Sequence, residues 1–252
     1  EQGPPTTRSE LTSNRYLAND NLIVALTSPI DLSFRNLDGK AVLHRPVTPE
    51  TGTLTTTVKI TQVSSSGGMI IQGYDFEVCD AKGPVYGGKT VFGFFSKESL
   101  AQQVGVRDAK RHVPTEGEIS RAESFPYPEE APFPEKRMRM VDAISLYVPD
   151  GGPQGFGFIR GTKTVDPSEW FFDAHFYQDP VCPGSLGLES FLQLVKVAAA
   201  KRWGATPGAR FHTTTPGEGQ EWNYRGQIVP TNNEIIIEAV ITSIDDDRRI
   251  LR

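Results

Sequence analysis

Short stretches of alternating apolar and polar residues, broken by Gly, Pro and Ser, dominate the chain outside one long apolar segment. In TLTTTVKITQV (53–63), Val58 and Ile60 alternate with polar positions among β-branched threonines, which predicts a half-buried strand. Ser64-Ser65-Ser66-Gly67-Gly68 supplies a turn, and MIIQGYDFEVCD (69–80) returns as a second strand. VYGGKTVFGFFS (85–96) follows the Lys82-Gly83-Pro84 turn as a third, and KESLAQQVGV after Ser96 reads as a short helix. Further strands are expected in RMVDAISLYVPD (139–150), GFGFIRGTKTV (155–165), NYRGQIVP, NEIIIEAVITSID and RRILR. Sliding the chain on itself so that Lys59 falls on Arg225 lays Met69-Ile70-Ile71 over Ile235-Ile236-Ile237, turn over turn. This suggests two copies of one antiparallel fold.

The long apolar segment is LGLESFLQLVKVAAAKR (186–202). Leu188, Phe191, Leu192, Val195, Ala198 and Ala199 follow helical spacing, and Leu186, Leu194 and Val197 fill most of the remaining circumference. A helix apolar nearly all round is expected to be buried on nearly all sides, with a curved sheet wrapped around it. One polar stripe interrupts it: Glu189, Gln193 and Lys196, at i, i+4 and i+7. That stripe is either a solvated face with a Glu–Lys pair or a carboxylate presented toward a pocket.

Two breaks divide the chain. Residues 1–35 read as a tail with a partial helix, NDNLIVALTSPIDLSF (19–34), and residues 36–107 as a first β-rich unit. Residues 108–136 collect charges and Pro114, Pro126, Pro128, Pro132 and Pro134, which exclude a helix interior or a central strand. They read as a Pro-rich linker ahead of a second unit, 137–252. The 252 residues suit two such units, and 37% hydrophobic content is enough for a sizeable core.

Charge and composition then narrow the function. Twenty-six Lys and Arg against 31 Asp and Glu leave a net charge of -5, the wrong sign for tracking a nucleic-acid backbone. No stretch approaches the roughly 20 apolar residues of a membrane span, and the chain is expected to be cytoplasmic. Cys79 and Cys182 allow one disulfide at most and no zinc site; both read as small buried hydrophobes. No Gly-rich loop opens a helix as a dinucleotide site would require, so no cofactor is expected.

Chemistry concentrates in AHFYQDPVCPGSLGLE (174–189). His175 lies among Phe171, Phe172, Phe176 and Tyr177, a setting that favours a neutral imidazole. Gly184 and Ser185 stand where the long helix starts, so their N–H groups have no helical partner. A base, an acid at Glu189 and two amide donors suit proton abstraction beside a thioester. His44, His112 and His212 have no comparable setting.

AHFYQDPVCPGSLGLESFLQL closely resembles the active-site segment of β-hydroxyacyl-ACP dehydratases of the β-hydroxydecanoyl type, H-F-x-x-D-P-V-x-P-G-x-L-G-L-D/E. The context from VPDGGPQGFGFIRGTKTV to VKVAAAKRWG looks most like dehydratase domains of polyunsaturated-fatty-acid synthases, and TGTLTTTVKIT, MIIQGYDFEV and VYGGKTVFGFFS resemble a first unit of their paired hotdogs. The resemblance implies an α+β hotdog fold, an antiparallel sheet around a central helix, in tandem as a double hotdog. It implies dehydration of a β-hydroxyacyl thioester to the trans-2-enoyl product, with 2-trans/3-cis isomerisation known among members. His175 would take the α-proton and Glu189, in the position of the family's Asp or Glu, would protonate the leaving hydroxyl. Gly184 and Ser185 would polarise the thioester carbonyl, and Phe172, Phe176, Tyr177, Pro183, Leu188 and Gln193 would line the acyl tunnel. Implied partners are an acyl carrier protein, bearing the substrate on phosphopantetheine, and other synthase domains.

In this family the histidine of one hotdog faces the acid of its partner, yet the first unit here has no matching His–Pro–Gly segment. His175 is therefore expected to meet Glu189 of another copy, or an acid such as Asp31 in the first unit. Arg137, Arg139, Lys201 and Arg202 are the candidate docking cations for an acidic carrier protein. The competing readings are an inactive hotdog scaffold or acyl-binding module, and a hotdog thioesterase.

Overall fold

A computed structural model of the chain describes residues 32–176, 178–212 and 214–252. These residues make two compact units that are not contiguous in sequence: 32–107 with Thr214–Gly226, and 108–212 with Gln227–Arg252.

The first unit is one antiparallel sheet. Strands β1 (Ser33–Leu43), β2 (Thr55–Ser66), β3 (Met69–Asp80) and β4 (Gly83–Phe95) stand in the order β2-β3-β4-β1. The β2–β3 hairpin turns on Gly67 and Gly68, both in the left-handed region (φ 59° and 76°), the conformation a two-residue hairpin loop requires. Three expectations change here. β2 forms where expected but is an edge strand, exposed along nearly its whole length rather than half-buried. The helix after Ser96, α1 (Lys97–Ala101), stops after one turn, its start capped by Ser96 Oγ accepting the Ser99 N–H at 3.2 Å. Ser33 and Phe34, placed at the end of a tail helix, instead open β1; the rest of that segment lies outside the described residues.

The fifth strand comes from the distal part of the chain. β8 (Gly219–Asn223) adds to the free edge of β1, with Lys40 opposite Glu221. Trp222 lies over Gly39, where a Cβ would collide with the indole, and its Nε1 donates to Asn36 Oδ1 at 3.0 Å. Arg225 then pairs with Asp38 at 3.0 Å. The expected strand NYRGQIVP is not one beyond Asn223, so half of the internal repeat has no structural counterpart. Tyr224, whose N–H donates to the Leu37 carbonyl, and Arg225 anchor β8 to β1, while Ile228 packs in the second unit.

The second unit carries helix α2 (Glu116–Ser120), strands β5 (Glu123–Pro126), β6 (Ala143–Val148) and β7 (Phe158–Thr164), and helices α3 (Trp170–Ala174) and α4 (Gly184–Trp203). Strand β9 (Glu234–Val240) and the two-residue strands β10 (Ile244–Asp245) and β11 (Ile250–Leu251) follow β8. The sheet order is β5-β6-β7-β9, antiparallel throughout. Helix α4 packs on one face, where Leu194 and Val197 meet Ile144, Ile159 and Ile237. Gly161 permits this approach, because a Cβ there would lie 2.8 Å from Leu194 Cδ2 and 2.7 Å from Val141 Cγ1.

Segment 108–136 is not a linker but part of this unit. Arg111 clamps Glu238 of β9 through two bonds of 2.6 and 2.8 Å, and Arg160 of β7 joins the same carboxylate at 2.8 Å. His112 sits edge-on to Phe158, so the segment covers the outer face of the sheet. Pro126 falls at the end of an edge strand, the place where a sheet tolerates proline.

The long helix also differs from expectation in which side it hides. Leu186, Ser190, Gln193, Leu194, Val197 and Ala198 are buried, whereas Leu188 and Phe191 are exposed. The polar stripe therefore faces inward and part of the apolar surface faces outward. Among the described residues no helix is long and apolar enough to cross a membrane.

Candidate active site

His175 is the residue that closes α3. Its backbone N–H returns to the Phe171 carbonyl at 2.9 Å, and its own carbonyl accepts from Val181 N–H at 2.8 Å. The ring is held as firmly as the backbone. Nδ1 lies 3.0 Å from the Val181 carbonyl oxygen, which only accepts, so in the neutral ring Nδ1 carries the proton and Nε2 the lone pair. The Phe176 ring lies against the half-buried imidazole, ring centres 3.8 Å apart and planes tilted by 31°. This is a tautomer prepared to act as a base through Nε2.

Two residues beyond Val181, Pro183 occupies the N-cap position of α4 and offers no side-chain acceptor to the first turn. Leu186 and Gly187 donate back to the Pro183 carbonyl at 3.0 and 3.3 Å, while the N–H groups of Gly184 and Ser185 precede any helical acceptor. They remain at the positive end of a 20-residue helix, a ready site for a carbonyl oxygen that gains negative charge. Cys182 stands beside this turn. Burial, then the Glu169 carboxylate, push its thiol up to about 11, so it behaves as a small apolar side chain and not a nucleophile. Both cysteines are free.

Glu189 projects from the second turn of α4. Its Oε1 accepts from Gln193 Nε2 at 3.1 Å and from Lys196 Nζ at 2.9 Å. Gln193 is fully buried and anchored at both ends of its amide: Oε1 accepts from Met140 N–H at 2.8 Å, and Nε2 also donates to the Met138 carbonyl at 2.9 Å. Tyr127 lies beneath, its hydroxyl 3.4 Å from the Gln193 carbonyl; burial and then the Glu189 charge hold it in its neutral form well above the ordinary phenol range. Within one chain no hydrogen bond or ion pair joins His175 to Glu189 among the described residues.

The expected tunnel residues divide. Phe176 and Pro183 are half-buried beside the histidine and the helix start, and Leu188 is exposed on the outer face of α4. Phe172 packs against Phe171 at 4.7 Å in the cluster with Met140, Val165 and Leu186, which makes it core rather than lining. Gln193 is likewise fully buried, its amide bonded to the backbone of Met138 and Met140. Tyr177 and Asp31 lie outside the described residues. Of the four expected docking cations, three are already paired: Arg139 with Glu129, Lys201 with Glu123 and Arg202 with Asp246. Arg137 instead sits over the Trp170 ring.

Sequence reasoning missed the Val181 carbonyl as the group orienting His175, and backbone acceptors leave no sequence signal. It leaves the stripe of Glu189, Gln193 and Lys196 open between a solvated Glu–Lys pair and a carboxylate presented toward a pocket, and gives Lys196 a part only in the first.

Residues 133–252 match the FabA-like domain family. The matched part is FabA-like in sequence, and its antiparallel sheet packed against one long helix is the hotdog arrangement. Over 238 residues the chain is 32% identical to a subunit of the polyunsaturated fatty acid synthase of Thraustochytrium sp., covering 85% of this chain and 16% of that much longer relative. Among solved structures, a MaoC-like dehydratase is 12% identical and aligns over 95% of this chain and 75% of its own with a TM-score of 0.44. A MaoC-like dehydratase from Phytophthora capsici is 13% identical over 86% of this chain and 68% of its own, with a TM-score of 0.31. The FabA-like match takes in His175, Glu189 and the open start of α4, the three features built above.

Proposed function

We propose that the chain dehydrates a β-hydroxyacyl thioester, carried on the phosphopantetheine of an acyl carrier protein, to the trans-2-enoyl thioester. The observation that carries this reading is the His175 ring tied through Nδ1 to the Val181 carbonyl, two residues ahead of a helix start with no side-chain cap. Nε2 takes the proton from Cα as the amides of Gly184 and Ser185 receive the charge building on the thioester oxygen. The Cα–Cβ double bond then forms, the Cβ–O bond breaks, and the departing hydroxyl takes a proton from the Glu189 carboxyl and leaves as water. Imidazolium and carboxylate return to their starting states by proton exchange with solvent. The similarity to part of a fatty-acid synthase supports a carrier-bound substrate and neighbouring synthase domains as partners.

The test is hydration of a crotonyl thioester and dehydration of its 3-hydroxy counterpart, followed at the enoyl absorbance. His175→Ala is expected to lower turnover by about 100- to 10,000-fold, the range for loss of a general base. Equal rates in wild type and variant would remove His175 from the mechanism and leave the acyl-binding scaffold as the better account.

A further inference from the structure

The Glu189–Lys196 contact spans two helical turns and is not an ordinary surface pair. Only 27% of the Glu189 side chain and 16% of the Lys196 side chain are accessible, and the 2.9 Å contact shares its acceptor, Oε1, with the fully buried Gln193 amide. Exposed pairs at such spacing cost side-chain entropy and return little. Here the entropy is already spent, because Gln193 is locked to the backbone at Met138 and Met140. Both donors engage one oxygen, Oε1.

From this we propose that Lys196 is a positioning residue for Glu189. Its ammonium and the Gln193 amide grip Oε1 from two sides, so that the carboxyl cannot rotate and Oε2 is the oxygen that meets the leaving hydroxyl. When Glu189 gives up its proton, the ammonium already in place neutralises the carboxylate that remains, and no solvent rearrangement is needed. The inference rests on the proposed dehydration and adds a residue to it.

The experiment is a double-mutant cycle on the full chain, with Lys196→Met, Glu189→Gln and the pair, in the thioester assay. Lys196→Met keeps the aliphatic stem and removes the charge. It is expected to lower kcat by about 10- to 100-fold, the loss of one hydrogen bond to a charged group, with KM within about twofold. Lys196→Arg should restore most of kcat, and Lys196→Met should do no further harm in the Glu189→Gln background. Lys196→Gln carries the same expectation and serves where the methionine variant does not fold, melting temperature being the check. Wild-type kcat in Lys196→Met and Lys196→Gln, with Glu189→Gln inactive, would overturn the role of Lys196 and leave the dehydration intact. Equal losses from Lys196→Met with and without Glu189 would also overturn it. Wild-type activity in Glu189→Gln would overturn the acid role of Glu189 and with it the role of Lys196, leaving the dehydration itself standing.

Discussion

Two helices of the second unit begin in opposite ways. The five-residue α2 is closed by its own residues: Thr115 Oγ1 accepts the Glu118 N–H at 3.2 Å, and Glu118 Oε2 accepts the Thr115 N–H at 2.8 Å. The other Glu118 oxygen reaches the Gly152 N–H at 2.8 Å, so the carboxylate also pins the β6–β7 turn. The 20-residue α4, with far more dipole to satisfy, starts behind a proline that caps nothing. Such a cap stabilises the start of a short helix. A long helix held by Leu194, Val197 and the Gln193 anchor can leave its first donors unsatisfied, and those are the Gly184 and Ser185 N–H groups that the proposed mechanism assigns to the thioester oxygen. Stability supplied elsewhere is what allows the site to stay open.

The sharpest way to break this contrast is to remove a donor from α4 without disturbing the helix. Gly184 is its first residue, where proline fits, so Gly184→Pro deletes one N–H and keeps the fold. On the proposed mechanism kcat falls by about 100- to 1,000-fold with an unchanged melting temperature, measured by enoyl absorbance and calorimetry. A smaller effect comes from making α4 resemble α2. Pro183→Ser supplies a cap of about 0.5–2 kcal/mol, offset by about 0.4–1 kcal/mol for the lost proline. Stability should hold or rise while turnover falls, by less than in Gly184→Pro; a variant that gains both would refute the trade.

The mildest test reads α2 itself. Backbone N–H groups of Thr115 and Gly152 hold the Glu118 carboxyl at about 2, well below its ordinary 4.5. Because the folded value is depressed, the folded protein binds this proton less readily than the unfolded chain. Its stabilisation is complete above pH 4.5 and is lost as the pH falls through about 2. Acid melting curves of wild type should therefore fall more steeply across that window than those of Glu118→Gln, with activity at neutral pH unaffected.

Local pattern carried the sequence reading wherever neighbours along the chain decide structure. β3 covers the expected 69–80, and α4 spans Gly184–Trp203 against the expected 186–202. The candidate segment stood out because consecutive residues, a Pro-Gly turn ahead of a helix among them, resemble a family motif. What pattern could not reveal depends on distant partners. An apolar helix gives no sign of which flank its sheet will cover, so the inward turn of Glu189, Gln193 and Lys196 had to be seen. Proline-rich 108–136 looked like a connector because its role, the Arg111–Glu238 clamp and the His112–Phe158 contact, lies across 127 residues for the arginine and within the sheet for the histidine. β8 was missed for the same reason: its partner β1 lies at the other end of the sequence, and five residues with one tryptophan make a faint strand signal.

That last strand has a consequence for inheritance and engineering. The chain enters the first unit, leaves it at Arg107, comes back for Thr214–Gly226 and leaves again. No single cut separates the units, and a cut between them at residue 107 would strip one sheet of its outer strand. The FabA-like half is thus not a cassette that can be lifted out and replaced. Whatever is grafted, shuffled or truncated here has to carry both halves as one exchangeable part.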